Sequence, residues 1–285
     1  MKRLSDKLGS LYVIATPIGN FSDISARAVE LLRTVDGVYA EDTRTSQALF
    51  REVGCNPPVQ SLHEHNEQER AKQVVERLAK GESLALISDA GTPLISDPGY
   101  RVVAACHDAE MPVVPVPGAC AFVAALSVSG LPTDHFSFEG FLSAKSGTRQ
   151  RRLEELASWP HTLVFYESPH RIEAALEDMV ACIGAERPAT MARELTKRFE
   201  TVKRSTLAGL LAWVREDSNQ RRGEFVLVVQ GAPEQVSEES FVTLDVATLL
   251  SAVAAELPPK RAAALVAKLS GRDKRQLYNV LVADK

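Results

Sequence analysis

The sequence predicts an α/β protein built on a parallel sheet, and three observations carry that prediction. Short apolar runs alternate with helical stretches from Leu11 to Leu126, the pattern of strand–helix–strand units with right-handed crossovers. Loops follow those runs at Thr16–Asn20, Glu41–Arg44, Asp89–Pro93 and Pro117–Ala121; in a parallel sheet they leave from one edge and converge. Past Gly130-Leu-Pro132 the texture changes. Phe136-Ser-Phe138-Glu-Gly-Phe141 alternates apolar and polar residues, as a half-buried strand does. The reading is two α/β domains, 11–130 with a parallel sheet and 131–231 with a mixed one, followed by a small helical tail at 246–285.

In chain order, Leu11–Ala15 is the first strand and Thr16-Pro-Ile-Gly19-Asn20 its turn. Asp23 or Ser22 caps a helix whose apolar positions Ile24, Ala28, Leu31, Leu32 and Val35 recur at helical spacing. Val38–Ala40 is a short second strand that runs into Glu41-Asp42-Thr43-Arg44. Pro57, Pro58 and His63-Glu-His65-Asn66 read as a loop. The next helix turns Ala71, Val74, Val75 and Leu78 inward and stops at Gly81. Leu84–Ile87 is a buried strand that opens onto Ser88–Gly99, two turns carrying Asp89 and Asp97. Gly91 there allows a close backbone approach or a positive φ, and Pro93 and Pro98 stiffen the loop. Alone, such a loop serves a ligand or merely a tight connection. Tyr100–His107 is a helix, Pro112–Val116 a strand, and a small apolar helix runs on to Leu126.

In the second half, Lys145–Arg152 is a basic loop and helix start, with Lys145, Arg149, Arg151 and Arg152 and no acid among them. Thr162–Tyr166 is a buried strand, and Glu167-Ser-Pro169-His170-Arg171 opens the helix after it. Thr190–Ala192 leads into Arg193-Glu194-Leu195-Thr196-Lys197. Thr206–Val214 is helical and Glu224–Val229 is the last strand. An acidic linker with Glu234, Glu238, Glu239 and Asp245 precedes three short helices, 246–256, 259–269 and 274–282. Between Leu257 and Leu281 the basic residues Lys260, Arg261, Lys268, Arg272, Lys274 and Arg275 face one acid, Asp273. The turn Ser270-Gly271-Arg272 between short helices resembles a helix-turn-helix.

The 285 residues carry a net charge of -4, so nucleic-acid contact has to come from local basic patches. Aromatics at 6% argue against a broad base-stacking platform. Cys55, Cys106, Cys120 and Cys182 lack metal-ligand spacing; Cys106 and Cys120 read as buried thiols of a reducing, cytoplasmic protein. His63 and His65 lack further ligands at suitable spacing, so no metal is expected. The N-terminus lacks the apolar stretch of a signal peptide, and no run is long enough to span a membrane. Without G-x-x-x-x-G-K or G-x-G-x-x-G, kinase, NTPase and ordinary dinucleotide readings are poor. The converging loops offer backbone groups, small side chains and the Asp89 carboxylate, which suits adenosine joined to a small zwitterion.

Six motifs together resemble the tetrapyrrole-methylase-like (class III) methyltransferases: 15–20, Glu41–Arg44, 88–93 with 96–99, 116–119, 165–171 and 193–197. Within that family they are most similar to the branch that methylates the ribose 2′-hydroxyl of a cytidine in the decoding region of small-subunit ribosomal RNA. The resemblance implies S-adenosylmethionine held between the two domains of a homodimer. It places cofactor contacts at Pro17, Ser88, Asp89, Ala90, Gly91, Leu94, Ile95, Ala119, Cys120, Ala121, Tyr166 and Glu167, and along Met191–Leu195, including Arg193. Porphyrin-modifying members carry G-x-G-x-G after strand one, where this chain has Thr16-Pro17-Ile18-Gly19; that departure favours RNA over a tetrapyrrole.

Transfer from a sulfonium needs alignment and a proton acceptor for the hydroxyl. Glu194 or Asp42 is expected to take the proton, with Lys197 and Arg193 on the adjacent phosphate; a surface salt-bridge network is the plain alternative. RNA contacts are expected at Arg44, Lys145, Arg149, Arg151, Arg152, His170, Arg171, Lys260, Arg261, Arg272, Lys274 and Arg275, on free RNA or the assembled small subunit. The alternatives there are a solvated charged face and, at His170 and Arg171, a helix entry. Tetrapyrrole C-methylation and a non-enzymatic RNA-binding factor remain the competing functions.

Overall fold

The computed structural model describes residues 8–233 and 245–283. The linker residues Glu234, Glu238 and Glu239 lie outside them. Contacts group residues up to 233 into one compact unit and residues from 234 into another.

The larger unit holds two five-stranded sheets. The first contains β1 (Leu11–Ile14), β2 (Gly37–Ala40), β3 (Val59–Ser61), β4 (Leu84–Ile87) and β5 (Val113–Val116). Its order is β3-β2-β4-β1-β5 and every pairing is parallel. The central strand β4 is buried along its whole length, as its unbroken apolar run requires. Helices α1 (Ala26–Thr34) and α2 (Thr43–Val53) contribute Leu32 and Phe50 to the core on one face. Helices α3 (Glu67–Ala79) and α4 (Tyr100–Asp108) contribute Val74 and Val102 on the other. All strands run one way, so the loops after β1, β2, β4 and β5 share an edge.

Two devices fix those loops. Thr16 and Gly91 exchange backbone hydrogen bonds at 2.8 and 3.1 Å, with Gly91 at φ 87° where a side chain is strained. Glu67 of α3, buried, accepts the backbone N–H groups of Gly99 and Arg101 at 2.9 and 2.8 Å. It thereby caps α4 from outside and anchors the far end of the 88–99 loop.

The second sheet contains β6 (Phe136–Phe141), β7 (Thr162–Glu167), β8 (Pro188–Arg193), β9 (Thr201–Thr206) and β10 (Phe225–Val229), in the order β6-β7-β10-β8-β9. β6 and β7 are parallel and the rest antiparallel, so the expected mixed sheet is present. Helices α6 (Ser146–Leu156), α7 (Ile172–Ile183) and α8 (Leu207–Glu216) bury Leu153, Leu176 and Leu210 against one face. The other face is covered by α5 (Ala121–Ser129), through Ala125 and Leu126 on Val164, Ala192 and Val226. The helix that follows β5 thus crosses to the second sheet and binds the two sheets together.

Several expectations change. The cap of α1 is Ser25, whose Oγ accepts the Ala28 N–H at 3.2 Å; Phe21–Asp23 form a separate 3-10 turn. β3 lies in the stretch read as loop, and α2 follows Glu41–Arg44 where no helix was expected. Asp42 caps α2, Gly54 ends it in the left-handed region, and β3 is an edge strand beside β2. β9 was not expected either: it is an edge strand whose Lys203 and Arg204 are exposed. β6 is half-buried, but its two faces are not sharply distinguished. Cys106 is buried; Cys120 is only half-buried.

The smaller unit is a helical trio, α9 (Val246–Glu256), α10 (Pro259–Ser270) and α11 (Lys274–Ala283), around Leu250, Ala263, Val266 and Leu277. Gly271 turns α10 toward α11 at φ 67°, and Lys260, Arg261, Lys268, Arg272, Lys274 and Arg275 are exposed. Among the described residues no helix is long and apolar enough to cross a membrane.

Candidate cofactor and acceptor site

A cavity of about 450 Å³ opens between the two sheets. The first sheet supplies Ile18, Asp89–Thr92, Ile95–Asp97, Cys120 and Ala121; the second supplies Phe141, Tyr166–Pro169, Ala192, Leu195 and Glu224–Val226. Its lining contains four acidic residues (Asp89, Asp97, Glu167 and Glu224) and no basic side chain.

An aromatic ladder sets one wall. Phe122 and Phe138 stack at 4.6 Å, and Tyr166 meets Phe138 edge-on at 4.8 Å and Phe141 at 5.5 Å. The Tyr166 hydroxyl accepts the Phe122 N–H at 3.2 Å in the first turn of α5. Burial first, and Cys120 second, push the phenol well above its usual range, so it stays neutral.

Glu167 is 2% exposed. Its Oε1 accepts the Ser168 N–H at 2.7 Å and pairs with Arg171 at 2.8 Å, whereas Oε2 is buried without a partner. The Glu167 carboxylate thus lies behind the cavity lining, its charge matched by Arg171. Asp97 is the other perturbed group. Burial, with Glu41 and Asp89 nearby, pushes its carboxyl up to about 6 against the pull of Ser88.

A smaller depression of about 260 Å³ adjoins the cavity and shares Ile18, Asp89, Ala90 and Glu224 with it. Pro17, Gly19, Phe21, Ala48, Leu49, Ser88 and Lys197 also line it. Lys197 bridges Glu194 at 3.0 Å and Glu224 at 2.9 Å, and Glu194 also accepts the Glu224 N–H at 3.0 Å. A third, more open depression holds Glu41, His63, Glu64, His65, Ser96, Asp97 and Pro98. Among the described residues no group of ligands is placed to hold a metal.

Of the residues expected at the cofactor, Asp89, Ala90, Gly91, Ile95, Cys120, Ala121, Tyr166, Glu167 and Leu195 line the cavity. Pro17 and Ser88 line the neighbouring depression. Four others lie elsewhere. Leu94, at φ 73°, packs into the core beneath the loop. Ala119 lends its carbonyl to the Thr92 hydroxyl at 3.0 Å. Met191 is buried on the opposite face of its strand, because successive side chains alternate and Ala192 takes the cavity side. Arg193 is spent on the carbonyls of Asn219 and Arg222 and on Thr201.

The expected proton acceptors also change. Neither Asp42 nor Glu194 lines the cavity. Hydrogen bonding to Arg44 brings Asp42 down to about 2. Burial raises Glu194, but the Glu224 amide, Lys197 and Arg193 outweigh it and hold the carboxyl below its usual range. Both are poor bases. The carboxylates bordering both hollows are Asp89 and Glu224. Three expected RNA contacts are engaged in ion pairs within the chain, Arg152 among them while half-exposed. Arg149 is 4% exposed and pairs with Asp178 at 2.6 Å. Arg152 pairs with Glu139 and Glu155, and Arg171 with Glu167. Lys145, Arg151 and His170 are exposed, as is Arg44 beside Asp42. Sequence reasoning assigned no site role to Asp97, Phe141, Ser168, Pro169, Glu224 or Phe225. Asp97 sat within a quoted motif and was legible; Glu224 arrives through strand pairing and was not.

A parallel sheet and a mixed sheet closing on an acid-lined, nucleoside-sized cleft define the class of protein: a two-sheet α/β binding cleft with an appended helical unit. The family model described as Tetrapyrrole (Corrin/Porphyrin) Methylases matches residues 10–211, and the chain belongs to that family. A second model, RsmI C-terminal HTH domain, matches residues 242–285. The chain is 49% identical to "Ribosomal RNA small subunit methyltransferase I" of Haemophilus influenzae, over 96% of this chain and 97% of that protein. It is 51% identical to the protein of that name from Pseudomonas aeruginosa, over 95% of each. Among solved structures it is similar in fold to diphthine synthase, with a TM-score of 0.61 at 20% identity over 78% of this chain and 90% of that one. Cobalt precorrin-4 methyltransferase gives 0.56 at 18% identity, over 77% and 94%.

Proposed function

We propose that this chain transfers the methyl group of S-adenosylmethionine to the ribose 2′-hydroxyl of a cytidine in the decoding region of small-subunit ribosomal RNA, acting in the cytoplasm. The observation that carries the reading is the cavity between the two sheets, all of whose charged side chains are acidic. Such a wall suits a ligand that brings cations and N–H or O–H donors along with a flat apolar ring. S-adenosylmethionine fits on each count. The relatives' names and the Thr16-Pro17-Ile18-Gly19 turn support RNA as acceptor.

In this reading Asp89, Ala90, Gly91, Ile95, Cys120, Ala121, Tyr166, Glu167 and Leu195 hold the cofactor, which supplies an electrophilic methyl on a neutral leaving group. The protein's work is alignment and removal of the hydroxyl proton. Asp89 or Glu224, which border both hollows, would take the hydroxyl proton. Lys197, fixed by Glu194 and Glu224, is a point charge for the neighbouring phosphate. The exposed Lys145 and Arg151, with the basic face of the small unit, bind RNA backbone without reading sequence. Homodimerisation has a candidate surface in Val123 and Val128 of α5 and Val202 of β9, all exposed.

The test is to incubate the protein with labelled S-adenosylmethionine and unmodified small subunits and to map the label. A single 2′-O-methylcytidine is expected; label on a base, or transfer only to a tetrapyrrole, refutes the reading. Single-turnover rates assign the proton acceptor. Asp89→Asn or Glu224→Gln should slow transfer well beyond Asp42→Asn.

A further inference from the structure

We propose that the 260 Å³ depression beside the larger cavity seats the acceptor nucleoside, with the Phe21 ring as its stacking face. This rests on the methyltransferase reading above. Donor and acceptor must sit in adjoining seats, because an in-line displacement brings the attacking oxygen to within about 3–3.5 Å of the methyl carbon. The two hollows adjoin in this way, because Ile18, Asp89, Ala90 and Glu224 line both.

Size narrows the occupant. Sites for drug-sized ligands start at about 300 Å³. A hollow of about 260 Å³ suits one nucleoside better than a tetrapyrrole macrocycle. Its chemistry agrees. Pro17, Ala48 and Leu49 give it apolar surface, and Lys197 and Glu224 stand as polar groups on the lining. Phe21 is 44% exposed, yet it lies on a 3-10 turn capped by Asn20, so the ring is held out by fixed backbone. An exposed aromatic at a polar-edged hollow is what an unstacked base requires.

The hollow is also rigid. A Cβ on Gly19 would lie 2.4 Å from the Lys197 Cγ and 2.9 Å from the Thr196 Oγ1. The turn after β1 is therefore pressed directly onto the loop after β8. On the other side, Asp89 accepts the Asp42 N–H at 3.0 Å, which ties the shared lining to the start of α2.

The experiment fills the hollow from its exposed side. Ala48, on the outward surface of α2, becomes Trp; the neighbouring exposed Gln47, which does not line the hollow, becomes Trp as a control of equal bulk. Phe21→Ala removes the stacking face. S-adenosylmethionine affinity is read by calorimetry and methyl transfer on unmodified small subunits by labelled cofactor. Expected are kcat/KM losses of about tenfold or more for Ala48→Trp and Phe21→Ala, within the range for one stacked base. Cofactor affinity stays within about twofold, and Gln47→Trp behaves as wild type. Undiminished transfer in Ala48→Trp overturns the proposal. So does a parallel loss of cofactor affinity, which would make the hollow part of the donor site. Wild-type protein that binds cofactor but transfers nothing to the subunit overturns the reading beneath it instead.

Discussion

If the proposed function holds, Asp97 makes S-adenosylmethionine binding in the larger cavity pH-sensitive, in a way that can be worked out in advance. Its carboxyl sits at about 6, raised first by burial and then by Glu41 and Asp89. At pH 5 roughly one such carboxyl in eleven is ionised. Binding of a cationic ligand that draws on the ionised form therefore weakens about tenfold between pH 7.5 and pH 5. Stability moves the other way. The folded protein holds this proton more tightly than an unfolded chain, whose aspartate titrates near 3.8. Asp97 therefore contributes stability that is complete below pH 4 and lost as pH rises through 6. His63, His65, Glu41 and Glu64 face the same hollow. Protonated histidines would also oppose a cation, so a His63→Gln, His65→Gln double variant is the control. Calorimetric titration of S-adenosylmethionine from pH 5 to 8 reads the effect. Wild type and the double variant should share the slope, and Asp97→Asn should lose it. A flat wild-type profile, or an undiminished slope in Asp97→Asn, refutes the argument.

Gly91→Ala forces a side chain into a left-handed backbone at the Thr16 bridge, and should cost about 1–2 kcal/mol in urea denaturation while weakening cofactor binding. Arg149→Ala leaves the Asp178 carboxylate buried without its ion partner and should cost about 3–5 kcal/mol, whereas the exposed Arg151→Ala should cost under about 0.5 kcal/mol in the same assay. Lys260→Glu with Arg261→Glu should weaken RNA binding and flatten its salt dependence by about two in the log–log slope, with cofactor affinity unchanged; an identical slope refutes the RNA role of that face.

Much of the fold was legible because its punctuation is local. Pro17, Gly19, Gly91, Pro93 and Gly118 mark the ends of β1, β4 and β5 without reference to anything distant. Parallel order then brings those ends to one edge. What escaped depends on partners. β3 and β9 are edge strands, and β9 carries charge where an inner strand carries valine. α2 hides its apolar stripe of Leu49, Phe50 and Val53 within a polar sequence, and only Asp42 and Gly54 bracket it. Strand phase decided Met191 against Ala192, a distinction one residue wide.

The basic residues show why composition could not finish the site. Arg149, Arg152, Arg171 and Arg193 look like free cations in sequence, but each is matched within the chain to carboxylates, carbonyls or a hydroxyl, Arg149 in the interior and Arg152 at the surface. Their withdrawal produces the cavity's character. Arg171 pairs with the buried Glu167 Oε1, and Lys197 holds Glu194 and Glu224 at the border. With the cations placed outside the wall and the carboxylates forming it, the cleft favours a positively charged ligand. In the proposed reaction, methyl transfer removes that charge from the sulfur, so the product loses the attraction that would hold the donor. The same arrangement that binds the donor therefore helps to release what remains of it.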